Sequence, residues 1–156
     1  MKLQPVSSAP GDLPEGPSDV LPDVLGDLAG THVLLLGLDV AVMCALIRRG
    51  CAEVAELEPH ERPEAHRFDR VIVPSIGSAD AALRAVAHAR RGLLPPGSVL
   101  LWTDFDPSGL IGHTIQRALR LQGFCLIRAR HSGTRMVYTA MLSILGPRPL
   151  ALGEAA

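Results

Sequence analysis

Aromatic residues are scarce: one Trp, one Tyr and three Phe make up 3% of the 156 residues. A surface that stacks the bases of single-stranded nucleic acid needs exposed rings, and this chain has few to offer. Its core must be built from Leu, Val, Ile and Ala. An excess of charge of one sign is also missing. Fifteen Lys and Arg stand against sixteen Asp and Glu, a net charge of −1, so no global field draws the chain to nucleic acid or to an anionic membrane. Cysteine is limited to Cys44, Cys51 and Cys125, none in CxxC spacing. That pattern fits neither a disulfide frame nor a zinc site, and the three read as reduced core thiols of a cytoplasmic protein. The longest apolar run, Val33 to Ile47, contains Asp39 and is too short to span a bilayer. Lys2 is followed by no apolar h-region, which argues against secretion.

Apolar residues amount to 47%, enough for one domain with a sizeable core. Residues 1–18 carry Pro5, Pro10, Pro14 and Pro17 among Ser, Gly and acids, a composition that reads as a flexible tail. A single domain is expected over residues 19–145, followed by a C-terminal tail over residues 146–156. Val20, Leu21, Val24, Leu25 and Leu28 fall at helical spacing, which predicts a short helix over residues 19–28 docked on the rest.

The informative stretch is His32 to Gly50. His32 to Leu36 is a short continuous apolar run, as expected of a strand buried on both faces. Gly37 breaks it. Val40 to Arg49 has helical spacing, with Asp39 at the N-cap position, two arginines in the last turn and Gly50 as the stop. A strand, a glycine turn and a helix make the opening unit of a nucleotide-binding α/β sheet. Further strands are expected over Glu53–Glu58, Phe68–Pro74 and Ser98–Thr103, the last preceded by a turn over Leu94–Gly97. A helix is expected over Ser78–Arg91, with Ala82, Leu83, Val86 and Ala89 facing inward, and another over Leu110–Gln122, stopped by Gly123. Phe124–Arg130 and Arg135–Leu142 close the chain. Four residues join these last strands, so they must run antiparallel.

In order and spacing these segments resemble the class I S-adenosylmethionine-dependent methyltransferases from about Leu28 to Leu145. HVLLLGLDVA is similar to the family's first strand and glycine loop, FDRVIVPSIG to the strand leading to its catalytic edge, and LLPPGSVLLWTD to its Pro-Gly turn and following strand. ALRLQGFCLIRARHSGTRMVYTAML looks like its last helix and closing hairpin. The resemblance implies a three-layer α/β sandwich, its sheet mostly parallel with a C-terminal antiparallel hairpin. Two departures make this version divergent and shortened. Of the family's loop glycines only Gly37 is kept, Asp39 and Ala41 standing at the later glycine positions and Leu35 at the acidic one. The nine residues between Glu58 and Phe68 are too few for a crossover helix and a strand, so the adenine-side strand is expected to be missing.

The resemblance places cofactor contacts at Gly37 and at Glu56 or Glu58, whose carboxylate would meet the ribose hydroxyls; a solvated acid is the plain alternative. Asp39 is either a simple helix cap or a ligand to the cationic groups of the cofactor. As a cap it repels phosphate, which argues against NAD, FAD or nucleoside triphosphates. Ser75, in the loop after the central strand, either hydrogen-bonds a substrate or caps the following helix. Asp104, Asp106 and His113 are the local acid and base candidates, the two acids equally readable as turn and cap residues. No triad or metal site is visible. Arg84, His88 and Arg91 share a helix face, as do Arg117 and Arg120, while Arg128 and Arg130 share a strand face. These are solvated surfaces or a face for an acidic protein partner.

Two functions follow. One is a noncatalytic structural or regulatory protein that binds a protein partner or self-associates and holds S-adenosylmethionine weakly or not at all. The other is an active methyltransferase with a divergent loop, acting on an unknown acceptor.

Overall fold

The computed structural model describes residues 25–144. The two expected tails, and residues 19–24 of the expected first helix, lie outside them. Along the chain come β1 (His32–Leu36), α1 (Val40–Arg48), β2 (Glu53–Leu57), β3 (Phe68–Ile76), α2 (Ala79–Gly92), β4 (Leu93–Asp104), α3 (Leu110–Leu121), β5 (Phe124–Ser132) and β6 (Arg135–Leu142). The strands form one sheet in the order β2-β1-β3-β4-β6-β5. β1 pairs in parallel with β2 and β3, β3 pairs in parallel with β4, and β6 runs antiparallel between β4 and β5. This is an α/β sandwich with a mostly parallel sheet and an antiparallel C-terminal pair.

Alternation along each strand divides the core in two. Leu34, Leu36, Val71, Val73, Val99 and Leu101 face α2 and α3, meeting Ala82, Ala85, Val86 and Ala89 of α2 and Ile115, Ala118 and Leu119 of α3. Val33, Leu35, Ile72, Leu100 and Trp102 face the other way, onto Val42 and Leu46 of α1 and onto Leu25 and Leu28. Central strands covered on both faces must be apolar at every position, which is why β1 reads VLLL without alternation. Each fully buried Leu or Val contributes on the order of 1.5–3 kcal/mol.

Three local expectations are corrected. The turn expected at Leu94–Gly97 belongs to β4, which starts at Leu93. Its Pro95-Pro96 bond is cis, and Gly97 sits so close to Leu93, Asp69 O and Leu94 O that a Cβ would have no room. On α2 the inward residue is Ala85, and Leu83 is exposed, because the face centred on Ala82, Val86 and Ala89 turns position 83 to solvent. The cysteines are not core thiols: Cys44 and Cys125 are exposed and Cys51 is half-buried. Cys44, two residues from each of the inward Val42 and Leu46, falls on the far side of α1, and Cys125 lies on a strand that is covered on little of its length.

Candidate functional site

β1 is the switch point of the sheet: the chain leaves it through α1 to β2 on one side and later returns to β3 on the other. In open α/β sheets such a point leaves a crevice outside the carboxyl ends of the strands. The crevice here holds a cavity of about 220 Å³. Leu36, Gly37 and Leu38 line it from the end of β1, and Val73, Pro74, Ser75 and Ile76 line it from the end of β3. Pro59 closes it from the segment after β2, and Ala81, Arg84, Ala85 and His88 close it from one face of α2. The opening exists because residues 58–67 contain no helix, so the α2 side of β1 and β2 is covered by irregular chain. Pro63, the buried residue of that segment, packs beside Gly92, and Arg91 donates a 2.8 Å hydrogen bond to its carbonyl.

Gly37 turns the chain at φ +100°, where a side chain is strained, and nothing lies within 4 Å of the position a Cβ would take. Its N–H donates to Leu57 O at 2.9 Å. Asp39 is the N-cap of α1: its Oδ1 accepts from Val42 N at 3.0 Å. The carboxylate thus occupies an amide at the helix end where an anionic ligand group otherwise binds.

Of the cofactor and catalytic candidates named from the sequence, the structure brings Gly37 and Ser75 together in this cavity and leaves the others outside it. Glu56 is exposed and alternates with Ala55 and Leu57, which pack against the α2 side of the sheet, so it stands on the opposite face. Glu58 follows the strand, its carboxylate 3.5 Å from His60 Nδ1. Ser75 is not the cap of α2; Ser78 is, accepting from Ala81 N at 3.1 Å. Ser75 makes no side-chain hydrogen bond with any described residue.

His113 lines a second cavity, about 320 Å³, with Thr103, Asp106, Gln116, His131 and Tyr138. Asp104 is outside it, 3.5 Å from Arg135 Nε. Asp106 organises the turn into α3: its Oδ1 accepts from Ser108 N and Ser108 Oγ, and its Oδ2 from Ile111 N at 3.1 Å. These hydrogen bonds hold its carboxyl below the usual range, the Ser108 hydroxyl foremost. Burial, helped by the Asp106 charge, pushes the Tyr138 phenol up. Ser75, Asp104 and His113 therefore do not converge on one reacting atom. Among the described residues no cluster of three His, Cys, Asp or Glu could hold a metal ion, and no helix is long and apolar enough to cross a membrane.

Sequence reasoning placed Arg84 and His88 on a surface face and missed that they line the cavity. The signal was available: Ala81, Arg84, Ala85 and His88 follow the i, i+3, i+4, i+7 spacing of one helix face. Burial is the main cause lowering the His88 pKa, with smaller contributions from the charges of Arg84 and Arg62. Its Nδ1 is buried and has no hydrogen-bond partner.

The architecture defines the class: this is the fold of the class I S-adenosylmethionine-dependent methyltransferases. It is similar to the S-adenosylmethionine-dependent O-methyltransferase of Thermotoga maritima, with a TM-score of 0.65 and 12% identity over 81% of this chain and 64% of that one. It is similar also to the Burkholderia thailandensis 1,6-didemethyltoxoflavin-N1-methyltransferase, solved with its substrate and S-adenosylhomocysteine (TM-score 0.63, 14% identity, 81% and 76% covered). A predicted O-methyltransferase of Agrobacterium tumefaciens matches with a TM-score of 0.61 and 14% identity over 80% and 79% of the two chains. This chain thus spans a little under two thirds of the length of the Thermotoga enzyme. No protein-family model and no curated protein sequence matches it.

Proposed function

We propose that this protein is a methyltransferase-fold domain that does not transfer methyl groups and acts as a structural or regulatory subunit bound to a protein partner. The observation that carries this reading is Asp39. Its side chain, held on the first turn of α1, stands with Ala41 as added bulk at positions where the fold would otherwise present glycine to the methionine end of S-adenosylmethionine. The far end of that cofactor fares no better. Among the described residues β2 is an edge strand, and neither Glu56 nor Glu58 lines the cavity beside Gly37. These features count against a fit of the cofactor to the residues present. Exposed Arg117, Arg120, Arg128 and Arg130 offer cationic faces to an acidic partner.

The second reading, an active methyltransferase, draws on one observation: Gly37 and Ser75 share a cavity at the edge where such enzymes work. Titrating the full chain with S-adenosylmethionine and S-adenosylhomocysteine separates the two. A ligand at about a hundred times its Kd stabilises the native state by roughly 2.7 kcal/mol and raises the melting temperature. We expect no shift with either adenosyl compound; a micromolar Kd in calorimetry would restore the enzyme.

A further inference from the structure

We infer that the cavity beside Gly37 is a binding site for a small carboxylate with an apolar body, its anionic end held by Arg84 and His88. This goes beyond the proposed function and does not depend on which partner the protein binds.

The wall selects the body of the ligand. Leu36, Val73, Ile76 and Ala85 present hydrocarbon, and no acidic residue lines the cavity. At about 220 Å³ it is smaller than the roughly 300–1,000 Å³ of a drug-sized site, which limits the occupant to a short aliphatic chain or a single ring. The cations select the head. Arg84 has neither a hydrogen bond nor an ion pair among the described residues, and Arg62 across the adjoining hollow is equally unpaired. The acids nearby in sequence are otherwise engaged or out of reach. Glu58 pairs with His60, Glu61 accepts from Glu58 N, and Glu64 pairs with Arg67; Asp80, one turn before Arg84, forms no ion pair with it. None of these carboxylates pairs with Arg84 or Arg62, which leaves both guanidinium groups free to meet an anion.

His88 supplies an independent sign. It borders both the cavity and the basic hollow formed with Arg62, Arg90 and Arg91, and its Nδ1 is buried without a partner. Nδ1 is closed off from the cavity, so the nitrogen open to a ligand oxygen is Nε2, which is neither buried nor hydrogen-bonded to a described residue. An arginine fork and an imidazole N–H match the two oxygens of a carboxylate. Inorganic phosphate has no apolar body to fill the hydrocarbon wall of the cavity, which a carboxylate with a short chain or ring does.

The test uses the full chain and isothermal calorimetry with sodium benzoate and sodium hexanoate, set against benzamide and inorganic phosphate. We expect saturable binding of at least one carboxylate at one site per chain, with benzamide and phosphate at least tenfold weaker. Arg84→Gln keeps much of the aliphatic stem at an exposed position, so the variant folds, and it should weaken carboxylate binding at least tenfold. His88→Phe keeps the ring volume and should weaken it as well. Absence of carboxylate binding, equal binding of benzamide, a preference for phosphate, or an Arg84→Gln variant that binds like the parent would each overturn the inference.

Discussion

His88 shows how one residue carries information that its sequence position conceals. On a charged, amphipathic helix it looks like one more solvated base, yet it borders a cavity, and its surroundings favour the neutral ring. A histidine whose folded pKa lies below its ordinary value of 6.5 takes up protons more readily when the chain unfolds. Stability from this group is complete above about pH 6.5 and is lost as the pH falls through that value toward the lowered folded pKa. Melting temperatures recorded from about pH 8 down to about pH 5.5 should decline on the acid side, and His88→Gln should decline less steeply. An equal decline in both would place the acid sensitivity elsewhere. The role of Asp39 was, by contrast, open to reading at this scale. An Asp directly before an apolar helix is a cap by local chemistry alone, and it is one here.

Among the elements, α3 and β6 are fitted to each other at one point. Gly112 in the first turn of α3 lies against the Tyr138 hydroxyl of β6, and a Cβ there would collide with that oxygen. Glycine inside a helix is about 1 kcal/mol less favourable than alanine, whereas forcing extra atoms into a packed contact costs about 1–3 kcal/mol. Gly112→Ala alone should therefore destabilise the protein. Combined with Tyr138→Phe, which removes the obstructing oxygen and breaks no hydrogen bond to a described residue, it should lose less and should approach or exceed the parent in denaturant melts. Additive losses in the double variant would show that the contact is not the cause. The identity and order of the elements were legible because burial on two faces, caps and stops are local. Leu83 and the start of β4 were not. The first depends on which side of α2 meets the sheet, and the second on Phe68 standing opposite Leu93 across strands 25 residues apart.

Across the described residues as a whole, the sheet ends in two edge strands, β2 and β5. β5 is the longer and less covered one, and it carries Arg128, Arg130 and His131. Charged side chains on an open edge oppose pairing with a second copy. Replacing Arg128 and Arg130 by Thr should raise concentration-dependent association in sedimentation or light scattering with little change in far-UV circular dichroism. Unchanged association would mean that the bulge between Cys125 and Arg128, where Leu126 takes φ +53°, already disrupts edge pairing. The same two arginines are part of the cationic surface proposed to meet an acidic partner, so one pair of substitutions also tests that proposal.

By itself the sequence determined the class of fold, the antiparallel ending, the missing strand after β2 and the cap at Asp39. Each of these is written in spacing, run length or a short-range hydrogen bond, which act within a few residues. Only the tertiary structure decided that Gly37 and Ser75 meet while Asp104 and His113 stand apart, that Glu56 lies on the opposite face of the sheet from the cavity, and that Arg84 and His88 border it. Those facts depend on the crossover at β1 and on the direction in which each strand and helix presents its side chains. Neither is set until distant segments have paired.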